Sequence, residues 1–316
     1  MDIYIKAFTS VGVLVAIILV AVFLKHLNII KGEQAPIFSK LVTHVTLPSL
    51  IFHSLSQATL HWEYVLLAMV MLGAELLAVL LAWKVGHLFG LNRPQQGSFM
   101  LVSGFGSSAL LGYALIGQVF PGNINAMTEA VVVTELGVGP ALFTLGTMIA
   151  LYYGSAEVDT RGRIQAVLSF FKSPICFSVV LGLVWALLKI PVDGVCLAPF
   201  FKCLEILASA NTFLVALTVG VVLQFSGLRT VAAMAASVCL IKLILKPIIV
   251  WGPTNFLTLP DWQVQVLVLE AAMPSALLTV VLANTYGCDA KLASKLVFAT
   301  TLVSMVTLVI MFSLLT

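Results

Sequence analysis

The chain has 316 residues, 61% of them hydrophobic and only 9% charged, and its mean hydropathy is +1.12. Soluble domains carry roughly 25% charged residues, so a water-exposed globule of this composition could not cover its surface, and the main solvent must be lipid. A net charge of +3 with no Lys/Arg run excludes a nucleic-acid surface. Five cysteines without a CxxC pair point to neither a disulfide framework nor a zinc site.

About 20 apolar residues cross a bilayer as a helix. That window predicts an all-α membrane protein with ten transmembrane helices, at 7–28, 36–56, 63–88, 97–120, 126–152, 166–189, 200–224, 230–251, 263–286 and 291–315. The first is too long for a signal-peptide core and starts from an acidic flank, Asp2, so it reads as a retained span. With the N-terminus outside, the cytoplasmic connections collect Lys25, Lys31, Lys40, Lys84, Arg93, Arg161, Arg163, Lys172, Arg229, Lys291 and Lys295. The outer side keeps Lys6, Lys189 and Lys202, with Lys246 near a helix end. The positive-inside rule selects this orientation and places both termini on the non-cytoplasmic side.

The one distinctly polar connection, 155–165, divides the chain into 1–154 and 166–316, five helices each. An odd number per half inserts the halves with opposite orientation, the 5+5 inverted repeat of secondary transporters, whose sites lie where helices are interrupted. Both halves carry an interruption in their fourth helix. The first is Ser103-Gly104-Phe105-Gly106-Ser107-Ser108-Ala109-Leu110-Leu111-Gly112-Tyr113, whose glycines weaken the helix and admit close approach of other backbone. The second is Glu270-Ala271-Ala272-Met273-Pro274-Ser275-Ala276-Leu277, where Pro274 removes a donor and breaks the helix. Two half-helix starts meeting at the midplane would form an anion site from backbone N–H groups and dipoles. Ser107, Ser108, Ala109, Gly112, Pro274 and Ser275 are therefore the candidate binding residues. Helices 2 and 7 hold equivalent positions in the two halves, which adds Ser49, Phe52 and Asn211 as candidates facing the crossover.

Charges deep in a bilayer cost about 2.5–3.5 kcal/mol on insertion scales and mark functional sites by default. The deepest are Glu75, Glu135 and Lys242, with Glu270 one turn before Pro274. Glu75 and Lys242 are 167 positions apart, the same shift that overlays Ser107 on Pro274, so the two are expected to lie beside the crossover, bonded directly or through a water. Gly137 and Gly139 beside Glu135 let a neighbouring helix cover it. Glu129, Lys202 and Glu205 lie near span ends, where snorkelling accounts for them. His44 and His53 read as helix-packing hydrogen bonders.

The stretch Glu270 to Leu315, EAAMPSALLTVVLANTYGCDAKLASKLVFATTLVSMVTLVIMFSLL, resembles the end of the auxin efflux carrier family, plant and bacterial. Leu47-Pro48-Ser49-Leu50-Ile51-Phe52 and Lys242-Leu243-Ile244-Leu245-Lys246-Pro247 support the likeness, which covers essentially the whole chain. It implies a crossover of broken helices 4 and 9 in a moving domain, and a scaffold of helices 1, 2, 6 and 7. It also implies a small organic anion, such as auxin, malate or malonate, as substrate. The chain departs from the family pattern at Ser107, where an asparagine is usual, at Ala114, where a proline is usual, and in its short central connection. The last points to a bacterial-type permease of the inner membrane.

The leading expectation is a carrier working by alternating access, driven by a proton or sodium gradient, with a homodimer as candidate assembly and lipid as its surroundings. A sodium-coupled bile-acid-type symporter and a non-transporting membrane sensor are the alternatives. With neither HExxH nor GxSxG present, no enzyme, cofactor or metal is expected.

Overall fold

A computed structural model describes residues 13, 16–59, 61–154, 172–192, 197–222 and 231–315. The 155–165 connection, residues 7–12 of the first expected span, Lys6 and Arg229 lie outside the described residues.

The described chain forms twelve helices and no strand beyond one isolated bridge. In chain order they are α1 (Ala16–His26), α2 (35–56), α3 (Trp62–Leu88), α4 (Arg93–Gly104), α5 (Ser108–Val119) and α6 (Ile124–Tyr153). There follow α7 (Pro174–Leu187), α8 (Ala198–Val222), α9 (Ala232–Thr254), α10 (Asp261–Ala271), α11 (Leu278–Tyr286) and α12 (Ala290–Leu314). Five of these, α3, α6, α8, α9 and α12, are long and apolar enough to cross a membrane. The stretches 97–120 and 263–286 are each two helices, α4 with α5 and α10 with α11, separated by three and six residues.

Local chemistry sets the ends. Asn92 and Gln95 form a reciprocal capping box that starts α4. Asp289 accepts from the Leu292 N–H and starts α12. Gly287, at φ 78°, closes α11 in the left-handed conformation that a side chain would oppose. Large apolar side chains point outward along whole faces, such as Leu76, Leu77 and Leu80 on α3 and Val303, Val306 and Ile310 on α12. That inversion of the soluble pattern is what a lipid solvent demands.

The helices pack in two groups. In one, α1 crosses α8 at Gly220, where an added Cβ would meet the Ile18 carbonyl and Ala21 at 2.5 Å, and α7 crosses α2 at Gly182 against Leu55. Phe52 belongs here, ringed by Trp185, Phe200 and Phe201 at centroid distances of 5.7, 6.2 and 6.0 Å. In the other, α4 meets α3 where Gly104 sits on Val79, and α9 and α12 join their core. α6 lies against α3, with Gly137 so close that a Cβ would come within 2.8 Å of the Ala68 carbonyl. Five helical stretches widen into π-type turns, among them Ser108–Gly112, Val133–Val138 and Leu240–Leu245. Such turns cost regular hydrogen bonding and recur at functional sites.

Candidate functional site at the crossing of the two broken helices

The two interruptions meet as short antiparallel strands paired at Gly106 and Ser275. The Ser107 N–H donates to the Pro274 carbonyl at 2.7 Å, and the Ala276 N–H to the Phe105 carbonyl at 3.0 Å. Breaking a helix leaves its last carbonyls unpaired, and here each break is capped by a serine of the other. The Ser275 hydroxyl donates to the Val102 carbonyl at the end of α4, 2.7 Å away. The Ser108 hydroxyl donates, more loosely at 3.4 Å, to the Glu270 carbonyl at the end of α10. The Ser275 N–H is further held by the Thr300 hydroxyl at 3.3 Å.

Ser107 is different. Its hydroxyl has no hydrogen-bond partner although the residue is only 4% exposed. It stands at the deep end of a cavity of about 450 Å³, beside Gly106, with Ala109 and Leu110 from the start of α5 and Ala276, Leu277 and Leu278 from the start of α11. Both half-helix N-termini thus face the same space. The amides of Thr279 and Val280 are taken up by the carbonyls of Ala276 and Leu277, those of Leu111 and Gly112 by the Ser107 carbonyl, and no side chain caps either helix. Partial positive charge at a helix start attracts an anion, and here two such starts and a free Ser107 hydroxyl share one cavity.

The walls are mostly apolar, with Leu47, Val138, Phe143 and Ile175 among them. The polar lining is Thr43, His44, Thr134 and Glu135, and at the mouth Lys172 and Ser173. Ser173 caps α7 by accepting from the Cys176 N–H at 3.1 Å. His44 also bonds back to the Lys40 carbonyl and to Thr43, at 3.1 and 3.0 Å. Glu135 accepts from the Tyr113 hydroxyl at 2.8 Å. A second void, about 50 Å³, touches Ser107 and Ser275 from the side of α12.

Of the residues singled out in the sequence, Ser107, Ala109 and Glu135 line the large cavity. Ser108, Gly112, Pro274 and Ser275 lie behind it: Gly112 packs on the Glu270 carboxyl group, and the two serines serve as caps. Ser49, Phe52 and Asn211 line neither cavity. Ser49 donates back to the Val45 carbonyl, Phe52 sits in its aromatic ring, and Asn211 accepts from Thr46 to tie α8 to α2.

No direct bond joins Glu75 and Lys242, although Lys242 does stand beside the crossover. Glu75 pairs with Lys246, one turn further along α9, and both side chains are wholly buried. Lys246 was expected near a helix end on the outer side and lies instead in the interior. Its i,i+4 spacing from Lys242 puts both lysines on one helix face, which is the signal that could have found it. Lys242 remains in the same cluster, with its ammonium against Gly106 and without a hydrogen-bond partner. Glu129 is a second correction. It is 0% exposed, with both carboxyl oxygens unpartnered, so snorkelling does not account for it. Lys202 and Glu205 do reach outward and pair at 2.8 Å on an exposed face.

The family model described as membrane transport protein matches residues 6–312. An uncharacterized transporter of Methanocaldococcus jannaschii is 26% identical over 300 residues, covering 93% of this chain and 94% of that one. An uncharacterized transporter of Methanothermobacter thermautotrophicus is 28% identical over 302 residues, covering 95% of each.

Proposed function

This chain belongs to the membrane transport protein family, that of the auxin efflux carriers, and we propose that it is a secondary transporter of small organic anions. One observation carries the reading: the unpartnered Ser107 hydroxyl and the starts of α5 and α11 close the deep end of a single cavity. A carboxylate docked there would accept from Ser107 and from the free N–H groups of α5, with no buried arginine needed. The apolar walls then suit the body of the molecule, as in most small-ligand sites. Glu135 in the same wall disfavours a second carboxylate, so a monoanion with an apolar body fits better than a short dicarboxylate. Lys172 and the α7 start at the mouth would draw the anion in.

In this reading the chain is an inverted repeat of five and five spans, α4–α5 and α10–α11 each counting as one broken span. The group built on α2, α7 and α8 serves as scaffold, and the crossover moves against it. The cavity opens beside Lys172 and His44, on the side that the positive-inside rule makes cytoplasmic, so the conformation is inward-open. Reconstituted in proteoliposomes, the protein should accumulate or exchange labelled indole-3-acetate more readily than labelled malonate. Binding of either without flux would mean a sensor, and sodium-dependent flux would mean a symporter of the bile-acid type.

A further inference from the structure

The crossover is surrounded by more buried charge than anion binding needs. Four carboxyl groups, Glu75, Glu129, Glu135 and Glu270, and two ammonium groups, Lys242 and Lys246, are almost entirely buried. Glu75 and Lys246 neutralise each other. That leaves three carboxyls facing one free ammonium, Lys242, which lies near Glu270 and has no hydrogen bond of its own. An uncompensated buried charge costs several kcal/mol, so the remaining three cannot all be ionised together.

Their placement is linear. Glu135 lines the cavity and accepts from Tyr113. Tyr113 follows Gly112, which packs so tightly on Glu270 that a Cβ there would come within 2.4 and 2.5 Å of its two carboxyl oxygens. Glu129, on α6 six residues before Glu135, in turn lies within electrostatic reach of Glu270. At 1.5 Å per residue the two ends of the row are about 9 Å apart along the helix axis. Beyond Glu129 lie Gln263 near the start of α10, and Tyr64 with half-buried Glu63 at the start of α3. These lead towards the face opposite the cavity mouth. Other titratable groups near Glu135 are Cys176 on α7 and, across the cavity, His44 and Lys172.

We infer that Glu135, Glu270 and Glu129, joined through Tyr113, form a proton-carrying row that couples anion movement to proton movement. A proton taken up on one carboxylate is passed on as the donor's O–H breaks and the acceptor's forms, each transfer returning the donor to a carboxylate. Loaded at Glu135, the proton passes to the Tyr113 oxygen as Tyr113 gives its own hydroxyl proton to the Glu270 side, and loading from the Glu129 side runs the same steps in reverse. The row is loaded from the cavity at Glu135 in the conformation described here, and from the Glu129 side in the opposite one. The carboxyl row stands on burial and charge balance alone, whereas its coupling to the anion rests on the transport reading above.

Two measurements separate these. Infrared spectra of the purified protein at neutral pH should contain the carbonyl stretch of a protonated carboxylic acid, and Glu270→Gln and Glu129→Gln should each remove part of it. A spectrum without that band, or one unchanged in both variants, overturns the row whatever the flux assays give. In proteoliposomes clamped at zero potential, a pH gradient should change wild-type flux of labelled indole-3-acetate, corrected for protein-free vesicles, several-fold. The residual flux of the glutamine variants should lose that response. An intact response in all of them overturns the coupling, while a band with no flux of any probe supports the row and counts against the transport reading.

Discussion

The two arms of the crossover reach the same backbone shape from different sequences. The second is broken outright by Pro274, which cannot continue a helix. The first has no proline and relies on Gly104 and Gly106, and at both the absence of a side chain is used: Val79 packs against Gly104, and Lys242 fills the space at Gly106, its ammonium 2.7 Å from where a Cβ would stand. The arms differ again where each following helix begins. Neither start has a side-chain cap, but α5 is preceded by Ser107, whose hydroxyl is free, and α11 by Ser275, whose hydroxyl is taken up by the Val102 carbonyl. They differ in charge too, since the third helix of the first half brings Glu75 and its counterpart α9 brings two lysines. The two arms thus share a backbone shape but not its chemistry: one carries an unpartnered serine hydroxyl, the other a serine that caps the end of α4.

The strongest way to break this comparison is through the pair that holds the two halves together. Removing one partner of a buried ion pair strands the other and costs about 3–5 kcal/mol. Glu75→Gln should lower the unfolding temperature in detergent sharply, as should Lys246→Met. The double variant should recover most of the loss, because two neutral side chains leave no buried charge uncompensated. Lys242→Met combined with Glu75→Gln should show no such recovery. If it did, Lys242 rather than Lys246 would be the true partner.

A second test asks whether the supporting arm is held by its cap. Ser275→Ala removes the donor to the Val102 carbonyl and leaves that buried acceptor unsatisfied, at about 1–3 kcal/mol. Ser108→Ala should cost less, because its bond to the Glu270 carbonyl is longer. Thermal unfolding of the two variants side by side measures the difference. Equal losses would mean that the caps are equivalent and the asymmetry lies elsewhere.

Much of the frame was legible in the sequence because lipid imposes it. Apolar length marked the stretches in which the long spans α3, α6, α8, α9 and α12 form, and glycine or proline inside an apolar stretch marked both breaks. What escaped was three-dimensional register. A constant shift of 167 positions aligned Glu75 with Lys242, but Lys246 stands one turn further along the same face of α9, and Glu75 pairs with it instead. The roles of adjacent serines were equally hidden. Ser107 and Ser108 read alike in one dimension, yet one step around the α5 start turns one towards the cavity and the other towards the end of α10. Lys172-Ser173-Pro174 carries a helix-start signal, Ser before Pro, that the apolar window 166–189 passed over, and these residues line the cavity.

The smallest effect is the most specific. Ser107 donates its hydroxyl to nothing in this conformation, so Ser107→Ala should leave the unfolding temperature of the unliganded protein unchanged within error. In the anion complex the same hydroxyl would donate to the carboxylate, and its loss should weaken binding by about 0.5–1.5 kcal/mol, the net value of one hydrogen bond. That is a two- to about twelve-fold rise in dissociation constant, taking about 1.4 kcal/mol per factor of ten. Isothermal titration or ligand-induced thermal shift with indole-3-acetate reads it directly. Ser275→Ala should give the reverse pattern, lower stability with near-normal affinity once folded. If Ser107→Ala destabilises the free protein and leaves affinity intact, its hydroxyl has a partner of its own and the anion docks elsewhere.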